Sequence, residues 1–142
     1  MALNVLVVDD SSVMRTMVIK SLRLSGLPLN QIYQASNGAE ALGILEENWI
    51  DLTLLDINMP VMNGEEMLRR VRENSDTADL PIVIISTEGS DTRIAAFKRQ
   101  GAEFLHKPFT PERLRDIVIN LTGVSHDELV EDETAAGSGP DF

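Results

Sequence analysis

The sequence predicts an α/β chain: a parallel, doubly wound sheet of five strands with helices on both faces. Three observations carry that expectation. Short apolar runs at Leu3–Val8, Leu52–Leu55 and 80–85 have the length and near-continuous apolar character of strands buried on both sides. Between them lie segments whose apolar residues recur at helical spacing, such as Met14, Met17, Val18 and Leu22. The polar residues that break the pattern gather just after the apolar runs, as Asp9-Asp10, Asp56, Ser86-Thr87 and Lys107.

Each element follows from local signals. The first strand ends in Asp9-Asp10, and Ser11-Ser12 caps a helix that Gly26 and Pro28 close. A weaker second strand spans 31–35, and Asn37-Gly38 opens a helix with Ala41, Leu42 and Leu45 on one face. The third strand, Leu52–Leu55, runs into Asp56 and a loop punctuated by Asn58, Pro60, Asn63 and Gly64. A helix over 65–73 follows, with Met67, Leu68 and Val71 as its buried side. The fourth strand is expected over 80–85, then a helix over 91–100 with Ile94, Ala95 and Phe97 on one face and Gly101 at its end. The fifth strand is Glu103–His106. After Lys107-Pro108-Phe109, Thr110 caps a last helix with Pro111 in its first position and Leu114, Ile117, Val118 and Leu121 along its stripe.

Composition narrows the function. The chain of 142 residues suits one domain with a real core. Six of its 23 acidic residues follow Leu121 without a Lys or Arg, so the body carries 17 acids against 12 bases, or −5 of the total −11. No basic face is available to displace the counterions of nucleic acid. Cysteine is absent, which removes disulfides, thiolate metal sites and cysteine nucleophiles. No signal peptide and no apolar run of membrane-spanning length is seen, so a cytoplasmic protein without membrane insertion is expected. Residues 122–142 read as an acidic tail, in which Ser125 and Glu128 have capping-box spacing for a short helix.

In an open α/β sheet, ligands and chemistry sit at the carboxyl ends of the strands. With strand order 2-1-3-4-5, the first and third strands are neighbours, and Asp9, Asp10 and Asp56 converge. Two carboxylates about 4 Å apart repel by roughly 4 kcal/mol at a surface-like dielectric, so three together call for a proton or a cation. Magnesium suits such a site, being hard, oxygen-seeking and content to keep several waters. A calcium-binding hand is excluded, because the sequence lacks its D-x-D-x-D-G loop. A carboxylate beside magnesium, with the Lys107 ammonium and a Ser86 hydroxyl aimed at the same point, is suited to accept a phosphoryl group.

The motifs D-D-S-S, L-L-D-I-N-M-P-V-M-N-G, I-I-S-T-E-G and H-K-P-F-T resemble the response regulator receiver family, and within it the stand-alone chemotaxis type. The resemblance covers about residues 4–121 and implies a flavodoxin-like receiver over 3–121. It implies a phosphoacceptor signalling protein rather than an enzyme, phosphorylated on Asp56 by a sensor histidine kinase. By position, Asp9 and Asp10 match the acidic pair, and magnesium would be held by these, by Asp56 and by the backbone carbonyl of Asn58. Lys107 matches the family's lysine, Ser86 its switch hydroxyl and Phe104 its aromatic switch. Asn58 and Glu88 match residues that orient the water of dephosphorylation. Thr and Tyr are commoner at the positions of Ser86 and Phe104, and the stretch 101–107 is one residue shorter than the usual pattern. With no output domain following, a downstream protein is expected to bind the face made by the helix over 91–100, the fifth strand and the last helix.

Other readings of these residues fit less well. A haloacid-dehalogenase-type phosphatase or phosphotransferase also uses an Asp nucleophile and magnesium, but it places an acid two residues later, where Asn58 stands. A flavodoxin-like electron carrier would bring its flavin phosphate against Asp9-Asp10. A P-loop GTPase lacks its G-x-x-x-x-G-K-[ST]. His106 and His126 read as ordinary residues. Met14, Met17 and Met67 read as core, and Met59 and Met62 as packing around the loop after Asp56.

Overall fold

Strands carrying apolar side chains on both faces pair into one sheet with two cores. The computed structural model describes residues 2–124. The chain runs β1 (Leu3–Val8), α1 (Ser12–Leu24), β2 (Leu29–Ala35), α2 (Gly38–Glu47), β3 (Leu52–Leu55), α3 (Gly64–Glu73), β4 (Ile82–Ser86), α4 (Asp91–Arg99), β5 (Glu103–His106) and α5 (Pro111–Thr122). All pairings are parallel, in the order β2-β1-β3-β4-β5. This is the expected flavodoxin-like topology.

Alternate residues feed opposite faces, as the period of a strand requires. Leu6, Val8, Leu55 and Ile84 pack in one core with Met67, Leu68 and Val71 of α3 and Phe97 of α4. Val5, Val7, Leu54 and Val83 pack in the other, with Val18 and Leu22 of α1 and Leu114 and Val118 of α5. Each such side chain, once buried, contributes roughly 1.5–3 kcal/mol. Every helix among the described residues is capped at its start by a side chain, from Ser11, Asn37, Asn63, Ser90 and Thr110 in turn. A cap of this kind contributes about 1 kcal/mol.

The structure moves several boundaries. β2 starts at Leu29, two residues before the expected strand, because an edge strand with exposed Asn30 and Gln31 carries little apolar pattern. β4 is Ile82–Ser86 rather than 80–85. Pro81 has no N–H to give the ladder, although its carbonyl accepts from the Thr53 N–H at 2.9 Å. α4 ends at Arg99, with Gln100 as its cap. α5 continues to Thr122, Gly123 takes the left-handed conformation, and Val124 is buried in the second core. The expected helix at 125 and His126 lie outside the described residues. Met67 is core, but Met17 lies off the Val18–Leu22 stripe and is 39% exposed, while Met14 is half-buried. Ala95 is likewise exposed on α4. No helix among the described residues is long and apolar enough to cross a membrane.

Candidate functional site

The register of the sheet assembles the site. Val8 lies opposite Leu55, Leu55 opposite Ile84, and Ser86 opposite His106. The ladder runs one residue beyond each strand. The Asp9 N–H donates to the Ala35 carbonyl at 3.1 Å, that of Asp56 to Val8 at 2.9 Å, and that of Lys107 to Ser86 at 2.9 Å. Asp9, Asp56 and Lys107 are thus fixed by backbone pairing at one end of the sheet. Asp10 extends the acidic cluster into solvent.

Carboxylate oxygens of Asp9, Asp10 and Asp56 all lie within 4.8 Å of one another. At that separation each pair of charges repels by roughly 3–4 kcal/mol at a surface-like dielectric. Asp9 is buried, and its Oδ1 accepts the Ser11 N–H at 2.9 Å, which turns the chain into α1. Arg15 donates to the Asp9 carbonyl at 2.6 Å, holding that turn from outside. Burial pushes the Asp9 carboxyl above its ordinary range, and the Lys107 ammonium offsets this only in part. Burial raises the Asp56 carboxyl as well, reinforced by the Asp9 charge and opposed by Lys107. Lys107 Nζ stands 3.9 Å from Asp9 Oδ2. The Lys107–Pro108 peptide is cis. Three hard oxygen donors in mutual repulsion, with burial disfavouring their charged forms, fit a divalent magnesium ion.

The Ser86 hydroxyl is buried and accepts the Glu88 N–H at 3.1 Å, which leaves its proton for donation elsewhere. Phe104 is half-buried against the first core and meets the exposed His106 edge to face, with centroids 5.3 Å apart. Asn58 is exposed two residues after Asp56. The Glu88 carboxylate is engaged on α4, accepting from the Ser90 N–H at 3.0 Å and from Arg93 at 2.5 Å. Asp9, Asp10, Asp56 and Lys107 are brought together.

Two glycines, Gly64 read in sequence as loop punctuation and Gly38 as a helix start, hold the Asp56 loop in place. A Cβ on Gly64 would stand 2.4 Å from the Asp56 carbonyl and 2.9 Å from Ile57 Cα, and the Gly64 N–H donates to the Ile57 carbonyl. Gly38 meets the far side of the loop, with its N–H on the Met62 carbonyl at 3.0 Å. Gly64 does not need its freedom for a left-handed turn, so the available signal was its place at a capped helix start, where close backbone approach favours glycine. Between these anchors Val61 has φ 66° and is 84% exposed, in a γ-turn closed by the Met62 N–H to Pro60.

Comparison with known proteins agrees with this geometry. Residues 5–119 match the family model described as the response regulator receiver domain, and the chain belongs to that family. It is similar to the chemotaxis protein CheY homologue of Campylobacter jejuni, 33% identical over 128 residues that cover 89% of this chain and 97% of that protein. Among solved structures it is similar to the chemotaxis response regulator CheY4 of Vibrio cholerae, with TM-score 0.74 and 35% identity over 85% of this chain and 99% of that one. The receiver domain of a Pseudomonas aeruginosa PAO1 sensor histidine kinase shares the fold at 23% identity and TM-score 0.75, over 87% of this chain and all of that one. That structure has a magnesium ion coordinated in its active-site cleft. The protein is a CheY-like receiver with an acidic cluster typical of the phosphorylation site. It is a phosphoacceptor signalling protein rather than an enzyme in its own right.

Proposed function

We propose that Asp56 takes a phosphoryl group from a phosphohistidine on a sensor histidine kinase and that the phosphorylated form signals by binding a partner protein, in a chemotaxis-like response. An Asp56 carboxylate oxygen attacks phosphorus, the P–N bond to the imidazole breaks, and an acyl phosphate forms. Lys107 neutralises charge on the equatorial oxygens, and the free proton of Ser86 is available to them. Magnesium held by Asp9, Asp10, Asp56 and the Asn58 backbone carbonyl would supply further positive charge when bound. The observation that carries this reading is the meeting of three carboxylates and one ammonium at the ends of adjoining strands. The magnesium in the P. aeruginosa receiver supports the choice of cation.

Asn58 and Glu88 orient the water that later attacks the acyl phosphate. For output, Ser86 drawn toward the phosphoryl group pulls the end of β4 with it. Phe104 turns inward, and the face of α4, β5 and α5 changes shape for a downstream protein. The phosphoryl group then acts by differential affinity for two arrangements of that face.

Intact-mass measurement with acetyl phosphate tests the chemistry. Wild type should gain one phosphoryl group only with a divalent cation, and Asp56→Asn should gain none. An equal mass shift in the variant would sink the assignment.

A further inference from the structure

The Glu88 carboxylate, proposed to act on the attacking water, is already held by partners outside the carboxylate cluster. It accepts from the Ser90 N–H at the start of α4 and from Arg93, one helical turn further on. The same guanidinium uses its other nitrogen on Glu65 of α3, 28 residues away in sequence. Arg93 therefore clamps two carboxylates from different elements with its planar fork, a geometry that lysine cannot reproduce. The Ser90 N–H and the Arg93 charge hold the Glu88 carboxyl below the ordinary carboxylate range, so it stays ionised and attached. The backbone of Glu88 is tied to the switch residue as well, through its N–H on Ser86 Oγ.

We propose that Arg93 is a positioning residue that lengthens the life of the phosphoryl group on Asp56 by holding the Glu88 carboxylate on α4, away from the attacking water. This rests on the reading of Asp56 and Glu88 given above. For Glu88 to act on that water it must leave Arg93, and each moment spent in the clamp is lost to hydrolysis. The clamp also senses the switch. When Ser86 reorients toward the phosphoryl group, the Glu88 N–H loses its acceptor and the loop holding Glu88 loosens. Arg93 thus sets how far phosphorylation promotes its own removal.

The test follows loss of phosphate from the full chain. Protein is phosphorylated with acetyl phosphate in magnesium, the donor is removed, and decay is read by intact mass. Arg93→Ala should speed decay roughly two- to fivefold, the population shift expected from releasing a partly exposed ion pair. Arg93→Lys should restore part of the lifetime. In a Glu88→Gln background, Arg93→Ala should change nothing further. Glu65→Gln should leave decay unchanged or slower, because Arg93 then serves Glu88 alone. Decay in Arg93→Ala equal to wild type would overturn the proposal. So would the same acceleration in the Glu88→Gln background, or an acceleration from Glu65→Gln matching that of Arg93→Ala, because either would make Arg93 a tie between helices. Absence of any phosphoryl group on wild-type Asp56 would instead defeat the reading of the site itself, and the mass of the starting material separates the two failures.

Discussion

α4 and α5 flank the same strand, β5, and are held in opposite ways. α5 buries Pro111, Leu114 and Val118, and Val124 continues its core beyond the helix end. α4 fully buries only Phe97. Its ends are fastened by arginines instead. Arg93 ties its first turn to Glu65 and Glu88. Arg72 of α3 donates to the Gln100 carbonyl at 2.6 Å, just past the helix, and to Ala78 and Leu80 at 3.1 and 2.8 Å. Apolar burial is non-directional and fixes a helix against the sheet, whereas a few directional bonds at the ends can be broken singly and remade elsewhere. A helix held by polar clamps is suited to being reset by a small event at Ser86. A helix held by a buried apolar stripe is suited to being the fixed part.

The two helices should respond differently to loss of their anchors. Leu114→Ala removes a fully buried side chain and should cost about 2–5 kcal/mol in global stability, read from urea unfolding. Arg72→Ala leaves the Ala78 and Leu80 carbonyls without their donor and should cost less, roughly 1–3 kcal/mol. Its effect should be local as well. Amide hydrogen exchange should quicken in α4 and at Gly101 while α5 keeps its protection. Equal loss of protection in both helices would show one cooperative unit and remove the distinction.

The same contrast decides what could be read from sequence. β1, β3 and β5 have the expected bounds, because each is a compact run whose polar neighbours mark its end. Asp9, Asp10 and Asp56 were legible for the same reason, since a residue just after a buried strand has its place fixed by the ladder. The apolar stripe of α5 was legible through its period. The polar clamps were not. Arg93 and Glu65 are 28 residues apart, and an arginine on a helix face reads as a solvated charge until the fold brings its partners to it. Arg72 met the same obscurity, its acceptors being backbone carbonyls that every residue carries. α4 looked better buried than it is, because Ile94 and Ala95 fit a helical period that the fold uses only through Phe97.

In the carboxylate cluster, by contrast with both helices, polar groups destabilise the fold until something binds. Burial raises the Asp9 and Asp56 carboxyls in the folded protein above their unfolded values. Between the ordinary carboxylate range and those raised values the native state binds more protons than the unfolded one, so this pair makes stability fall as pH rises through the window. Glu40 and Glu88 are shifted the other way and contribute stability that is lost as pH falls. The difference between wild type and Asp56→Asn isolates the cluster from them. At neutral pH in a chelator, Asp56→Asn should be more stable than wild type by on the order of 1 kcal/mol, after allowance for solvent screening. That advantage should shrink as pH is lowered through the raised values toward the ordinary carboxylate range, and be gone below that range, where the wild-type pair is protonated in both states. Magnesium at ten times its dissociation constant should stabilise wild type at neutral pH by about 1.4 kcal/mol, with a much smaller gain for the variant, which has lost a charged ligand. Thermal melts of both proteins across pH, with and without the cation, give all these values. A wild type as stable as Asp56→Asn at neutral pH without metal would mean that its carboxylates do not repel one another and that the cluster is no site for a cation.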